Sequence, residues 1–226
     1  MTMISRTRIK ICGLSKPEDI AAAVEAGADA VGLVFYAKSP RYVTPEQAAA
    51  LTAQLPPYVT PVGLFVNAAP EEVADIARQA GIGLLQFHGD ESPEACGAAA
   101  EATRLPFTRA VRIGPDFAPA DLLEFEFRYR AASGLFRGLI LDALVDGYGG
   151  GGKVFDWSLI PKELAPRVVL SGGLSAQNAA EAIRLVRPYA VDVSSGVERA
   201  KGIKEPVKIR EFIDAVRRAD AALNPL

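Results

Sequence analysis

Two residues of this 226-residue chain pair a reactive side chain with a place at the end of an apolar run. Asp142 closes Gly138-Leu139-Ile140-Leu141-Asp142, and Cys12 closes Arg8-Ile9-Lys10-Ile11-Cys12. A carboxyl at the edge of a core can be held protonated and serve as a general acid. The same residue can also do no more than cap a loop. A cysteine thiolate can be a base or a nucleophile, and a lone cysteine is also a common small buried hydrophobe. Cys96, inside an Ala-rich run, takes the second reading.

Three glycine clusters suggest a place for an anion. Ser171-Gly172-Gly173-Leu174 precedes a helical run, with Ser175 and Asn178 nearby, and Ser194-Ser195-Gly196-Val197 follows another apolar run. The run Gly147 to Gly152, which contains Gly149 and Gly150, adds further backbone donors. Glycine lets backbone N–H groups approach a phosphate closely, and the start of a helix points N–H groups at it. One pair alone would be weak, because turns need glycine too.

Other side chains need a partner or a ligand. Lys10 shares the strand parity of Cys12 and should point the same way; Asp192 is its natural counter-charge. As a Schiff-base nucleophile it would lie one layer too deep. Arg41, after Ser39-Pro40, can grip a carboxylate with two parallel bonds or be a solvated surface residue. His88, the one histidine, ends Gln86-Phe87-His88-Gly89 and is read as substrate-adjacent rather than as the main acid or base. Phe155 and Trp157 are read as packing under the glycine-rich run.

The elements that must position these residues alternate along the chain. Strands are expected at 8–12, 30–35, 60–66, 84–88, 108–113, 138–142, 167–171 and 190–194. Continuous apolar runs of that length suit parallel strands buried on both faces. Ala-rich runs between them open with Ser15-Lys16-Pro17-Glu18, Thr44-Pro45-Glu46-Gln47, Ala69-Pro70-Glu71-Glu72 and Ser92-Pro93-Glu94, which are helix-start patterns. Gly27 and Gly81 would close two of the helices. Eight such units of about 28 residues imply one α/β domain over residues 1–226, a (β/α)₈ barrel with its site at the carboxyl ends of the strands. An open doubly wound sheet also alternates, but Cys12-Gly13-Leu14-Ser15 lacks the dinucleotide glycine pattern. Leu123 to Arg130 alternates with period two and is expected to be a strand or extended piece. In a closed barrel the first strand neighbours the eighth, so Cys12 and Asp142 would flank an anion held by the last two strand exits.

Composition excludes several classes. Half the residues are hydrophobic, which argues against disorder, and a net charge of −2 points to neither nucleic acid nor an acidic tail. Two distant cysteines and one histidine exclude a Cys/His metal cluster and suggest a reducing compartment. No apolar run approaches the roughly 20 residues of a membrane helix. The expectation is a cytoplasmic protein with a small sugar-phosphate ligand, no cofactor, no metal, no nucleic-acid or membrane partner, and a monomeric or homodimeric state.

The chain resembles the phosphoribosylanthranilate isomerase family over nearly its whole length. The resemblance is carried, in order, by Lys10-Ile11-Cys12-Gly13-Leu14, Glu25 to Gly32, Ser39-Pro40-Arg41-Tyr42-Val43, Gly63-Leu64-Phe65-Val66-Asn67 and Gln86-Phe87-His88-Gly89. Further along it is carried by Leu141-Asp142, Gly147-Tyr148-Gly149-Gly150, Phe155-Asp156-Trp157, Ser171 to Leu174 and Val191 to Glu198. It implies a cofactor-free Amadori rearrangement of N-(5-phosphoribosyl)anthranilate in tryptophan biosynthesis. It makes Asp142 the acid that opens the ribose ring and Cys12 the base that takes the C2 proton. It puts Arg41 near the anthranilate carboxylate and Gly173, Ser195 and Gly196 around the phosphate. A Cys base implies a thiol pKa lowered from about 8.5. The chain departs from the family at Gly151, Phe87 and Lys201, where Thr, Leu and Pro are usual. The competing readings are the related aminoimidazole sugar-phosphate isomerase of histidine biosynthesis, which typically has a carboxylate where this chain has Cys12, and a non-catalytic phosphate-binding barrel. An aldolase would need a Schiff-base lysine at the mouth, where strand six offers Asp142.

Overall fold

Eight apolar runs pair side by side and close on themselves. In a computed structural model that describes residues 6–114, 117–144 and 154–223, they form one closed parallel barrel in the order β1 to β8. The strands are β1 Arg8–Cys12, β2 Ala30–Val34, β3 Thr60–Phe65, β4 Leu84–Phe87, β5 Phe107–Ile113, β6 Phe136–Ala143, β7 Val169–Leu170 and β8 Ala190–Val193. Closure is the parallel pairing of β1 with β8, in which Lys10 faces Asp192. Alternate residues face outward, and there Phe65, Phe87 and Phe107 are fully buried under the helices. Their rings form a chain, with Phe87 and Phe107 centroids 5.6 Å apart and Phe107 and Phe136 5.5 Å apart. Burying each such ring stabilises the fold by about 1.5–3 kcal/mol.

Helices α1 Pro17–Ala26, α2 Pro45–Thr52, α3 Pro70–Gln79, α4 Pro93–Thr103, α5 Pro119–Ala132, α6 Ala179–Val186 and α7 Pro206–Leu223 wrap the barrel. The expected prolines sit in the first turns of α1 to α4, and α5 begins with one as well. The Thr44 and Ser92 caps form, with Thr44 and Gln47 making a reciprocal capping box. Ser15 does not cap; the residue before α1 is Lys16, without a side-chain cap.

Two expectations fail. Leu123 to Arg130 lies inside α5. A chain leaving β5 must run back to enter β6 in parallel, and a helical crossover does this. The buried residues of α5 are Leu122, Glu126 and Tyr129, spaced by four and three, whereas Phe127 is 67% exposed. Glu126 points inward because Arg130 (2.7 Å) and Arg167 (2.9 and 3.1 Å) bind its carboxylate. The segment between β6 and β7 carries no α-helix among the described residues. It has two 3₁₀ turns, Trp157–Leu159 and Ala165–Arg167. Pro161 and Pro166 explain this, since each removes a helix donor. Phe155 and Trp157 pack against the core.

After β8 the chain makes a 3₁₀ turn at Ser195–Val197 and a short antiparallel ribbon, β9 Glu198–Ala200 with β10 Ile203–Lys204. This ribbon lies beside the loop after β2.

Candidate active site

Cys12 is the last residue of β1 and is 4% exposed. Opposite it in register lies Gly32 of β2. A Cβ at position 32 would stand 2.7 Å from Cys12 Sγ and 3.1 Å from Lys10 Nζ. Gly32 therefore packs directly against the thiol, and a larger residue there would crowd it. Nothing in the linear pattern marked Gly32; the signal needs the β1–β2 register.

Lys10 Nζ donates to Asp192 Oδ1 at 2.8 Å, both side chains being buried, as the strand parity predicts. Burial disfavours the ammonium, but Asp192 and Cys12 outweigh it, and its pKa is pushed up to about 12. The thiol goes the other way from expectation. Burial pushes the Cys12 pKa up, and the pull of Lys10 and Lys204 does not overcome it. Asp192 also raises the thiol and so offsets part of the pull of Lys10.

Asp142 lies on β6, 6% exposed. Its Oδ1 accepts from the Ala143 N–H at 2.9 Å, and its Oδ2 lies 3.1 Å from His88 Nε2. His88 Nδ1 is in turn 3.1 Å from the Gln86 amide nitrogen. His88 thus links Gln86 to Asp142. A Cβ on Gly172 would stand 2.9 Å from Asp142 Oδ1 and 2.5 Å from the Ala143 nitrogen. Gly172 also has φ +78°, a left-handed conformation that favours glycine.

Arg41 is buried at 6% exposure rather than solvated. Its Nε and one terminal nitrogen donate to the two Glu198 oxygens at 2.6 and 2.9 Å. Its stem crosses Gly13, where a Cβ would stand 2.4 Å from Arg41 Cδ. Lys204 Nζ, also buried, donates to Glu198 at 2.8 Å and to the Ser194 carbonyl at 2.9 Å. Burial works against the Glu198 carboxylate, but Arg41 and Lys204 outweigh it and hold its pKa below the usual range. The sequence reading missed both Glu198 and Lys204 as site neighbours. Glu198 lay inside a quoted string, but no local signal tied it to Arg41.

The loops after β7 and β8 meet backbone to backbone. A Cβ on Gly196 would stand 1.9 Å from the Leu174 carbonyl oxygen. Asn178 shapes the first loop, accepting from Ser175 N–H at 2.8 Å and donating to the Gly173 carbonyl at 2.9 Å. Gly173 adopts φ +64°, and Ser195 and Gly196 form the 3₁₀ turn. Gly149 and Gly150, with the rest of the run 147–152, lie outside the described residues. Among the described residues no group of three or more His, Cys, Asp or Glu side chains could hold a metal ion. No described helix is long and apolar enough to cross a membrane.

Residues 9–215 match the family described as N-(5'-phosphoribosyl)anthranilate isomerase. A relative of that name from Herminiimonas arsenicoxydans is 66% identical over 222 residues, covering 98% of each chain. One similar solved structure is a phosphoribosyl anthranilate isomerase in complex with reduced 1-(o-carboxyphenylamino)-1-deoxyribulose 5-phosphate. It is 40% identical with TM-score 0.77, covering 94% of this chain and 99% of that one. Another shows monomers of the dimeric enzyme from Thermotoga maritima, 39% identical with TM-score 0.77 and the same coverage.

Proposed function

Because the chain belongs to the N-(5'-phosphoribosyl)anthranilate isomerase family, we propose that Asp142 and Cys12 are the acid and base of its reaction. The chain is an isomerase of tryptophan biosynthesis that carries out the Amadori rearrangement of N-(5'-phosphoribosyl)anthranilate.

Asp142 gives its proton to the ribose ring oxygen as the bond from C1 to that oxygen breaks. The anthranilate nitrogen supplies the electron pair, leaving an open-chain Schiff base. Cys12 thiolate then takes the C2 proton, and the C2–H electrons neutralise the iminium nitrogen. The resulting enol tautomerises to the ketose, with a proton returning to C1. No electron leaves the substrate, so the rearrangement needs no redox partner. An acid or base held in place contributes about 10²–10⁴-fold each.

The observation that carries the reading is that a glycine packs directly against each of the two groups. Gly32 abuts Cys12 Sγ and Gly172 abuts Asp142 Oδ1. A larger residue at either glycine would crowd a reactive atom, Cys12 Sγ at the end of β1 or Asp142 Oδ1 near the end of β6. Gly172, Gly173, Ser195 and Gly196 form the phosphate cradle. Among the described residues the N–H groups of Gly173, Ser195 and Gly196 make no hydrogen bond within the chain, and Gly149 and Gly150 would add to them. Arg41 binds the anthranilate carboxylate through Nη1, the nitrogen that Glu198 leaves over. The protein acts in the cytoplasm, where its two free cysteines stay reduced, as a monomer or homodimer that mass in solution distinguishes.

The test is loss of phosphoribosylanthranilate fluorescence with time. Cys12→Ala and Asp142→Asn should each lower kcat by about 10²–10⁴-fold while a phosphate-bearing product analogue still binds. Near-parental kcat in either variant removes that residue from its role.

A further inference from the structure

We propose that His88 is a positioning residue whose ring, fixed by Gln86 as the Nε2–H tautomer, holds Asp142 ready to give its proton to the substrate. The inference rests on the acid role assigned to Asp142 above and goes beyond reading His88 as a substrate contact.

The three side chains form one buried line. Gln86 and His88 are two residues apart, so both point into the barrel. Gln86 is 0% exposed, and His88 and Asp142 are each 6% exposed. The Gln86 amide nitrogen faces His88 Nδ1 at 3.1 Å, and His88 Nε2 faces Asp142 Oδ2 at 3.1 Å. Gln86 Oε1 is buried with no hydrogen-bond partner among the described residues. Gln86 also lines a cavity of about 480 Å³ with Thr60, Thr108 and Arg8. Among the described residues the one bond of the Gln86 side chain is the one to His88, and that bond sets which nitrogen of the ring is bare.

An amide N–H can donate only to an unprotonated Nδ1. The ring proton is then on Nε2, directed at the carboxyl. This has two effects on the acid. With a donor facing Oδ2, the acid proton does not point at the ring, and Oδ1, which accepts from the Ala143 N–H, adjoins Gly172. When that proton leaves, the new carboxylate already has two aligned donors, His88 Nε2–H and the Ala143 N–H. Such donors, in place before charge develops, stabilise the product of proton transfer without reorganisation. The opposite tautomer would present a lone pair to Oδ2. Asp142 would then spend its proton on the ring, turned away from the substrate.

His88 is the one histidine of the chain, so its ring nitrogens are assigned without ambiguity in ¹⁵N NMR of the intact protein. At neutral pH the parental ring should show a protonated Nε2 and a bare Nδ1. Gln86→Glu, which puts an acceptor against Nδ1, should place a proton there and lower kcat. His88→Leu should lower kcat on the order of 10²-fold with KM unchanged, and His88→Gln, which keeps an N–H of similar reach, should restore most of it. A parental ring protonated at Nδ1 overturns the proposal, and that measurement needs no variant to fold. Parental kcat in His88→Leu overturns it too, as does an effect confined to KM, which would return His88 to the substrate. If Asp142→Asn loses turnover but His88→Leu does not, only this inference fails. If Asp142→Asn keeps its turnover, the acid assignment fails and this inference with it.

Discussion

At the scale of single residues, the reactivity of Cys12 is a contest among neighbours. Burial and Asp192 favour the thiol, and Lys10 and Lys204 favour the thiolate. The net direction is upward, so the thiolate fraction is small at neutral pH and grows as pH rises. The acid limb of kcat/KM should therefore lie above the ordinary thiol value of about 8.5; a limb below it would show that the lysines prevail. Iodoacetamide checks the same balance. Cys96, fully buried with its thiol pushed up to about 12, should stay unlabelled in the native protein. Cys12 should become labelled as pH is raised, and a product analogue should protect it. Lys10→Met would leave the Asp192 carboxylate buried without its cation. That should cost roughly 3–5 kcal/mol in urea unfolding, far more than a surface lysine. The shared orientation of Cys12, Lys10 and Asp192 was readable from strand parity, and Asp142 from its place at a strand exit. The direction of the Cys12 shift was not, because it depends on which partner takes up the charge of Lys10.

Elements position what residues alone cannot. Arg41 follows β2 and Glu198 begins β9, so their ion pair ties two loops across the barrel mouth. Arg41→Ala should raise KM for the anthranilate-bearing substrate and also lower stability, since Glu198 would lose a two-point cation partner and keep Lys204 and the Gly202 N–H. An effect on neither would remove Arg41 from the site. Glu198 has a folded pKa below its unfolded value. Its contribution is therefore present above the ordinary glutamate value of about 4.3 and is lost as pH falls through the lower folded value. In Glu198→Gln that increment of acid-side stability should be missing from urea unfolding measured as pH falls through that window. Helix α5 gives a second contrast. Phe127→Ala, on the exposed face, should change stability by no more than about 0.5 kcal/mol, whereas Glu126→Ala should cost about 1 kcal/mol. The reverse ranking would restore the period-two reading. That reading failed because Phe125, Phe127 and Tyr129 alternate with charged residues, and hydrophobicity alone does not show that Glu126 is drawn inward by Arg167, 41 residues later.

For the whole molecule, closure through β1 and β8 makes the first and last units structurally dependent on each other. The chain is expected to unfold as one domain, with Trp157 fluorescence and backbone circular dichroism changing together in urea. Separated transitions would divide it. The sequence by itself determined the eight strands, the alternating architecture and the residues at the strand exits. It could do so because a strand buried on both faces must be apolar throughout, and because side-chain parity repeats every two residues. It also marked the glycines of the last two loops. Only the tertiary structure decided that Glu198 takes the fork of Arg41, that Gly32 packs against Cys12, that α5 is helical and that His88 meets Asp142. Each of these is a contact between strands or loops far apart in the chain. Local pattern records which face a residue occupies, whereas the closed barrel decides what it meets there.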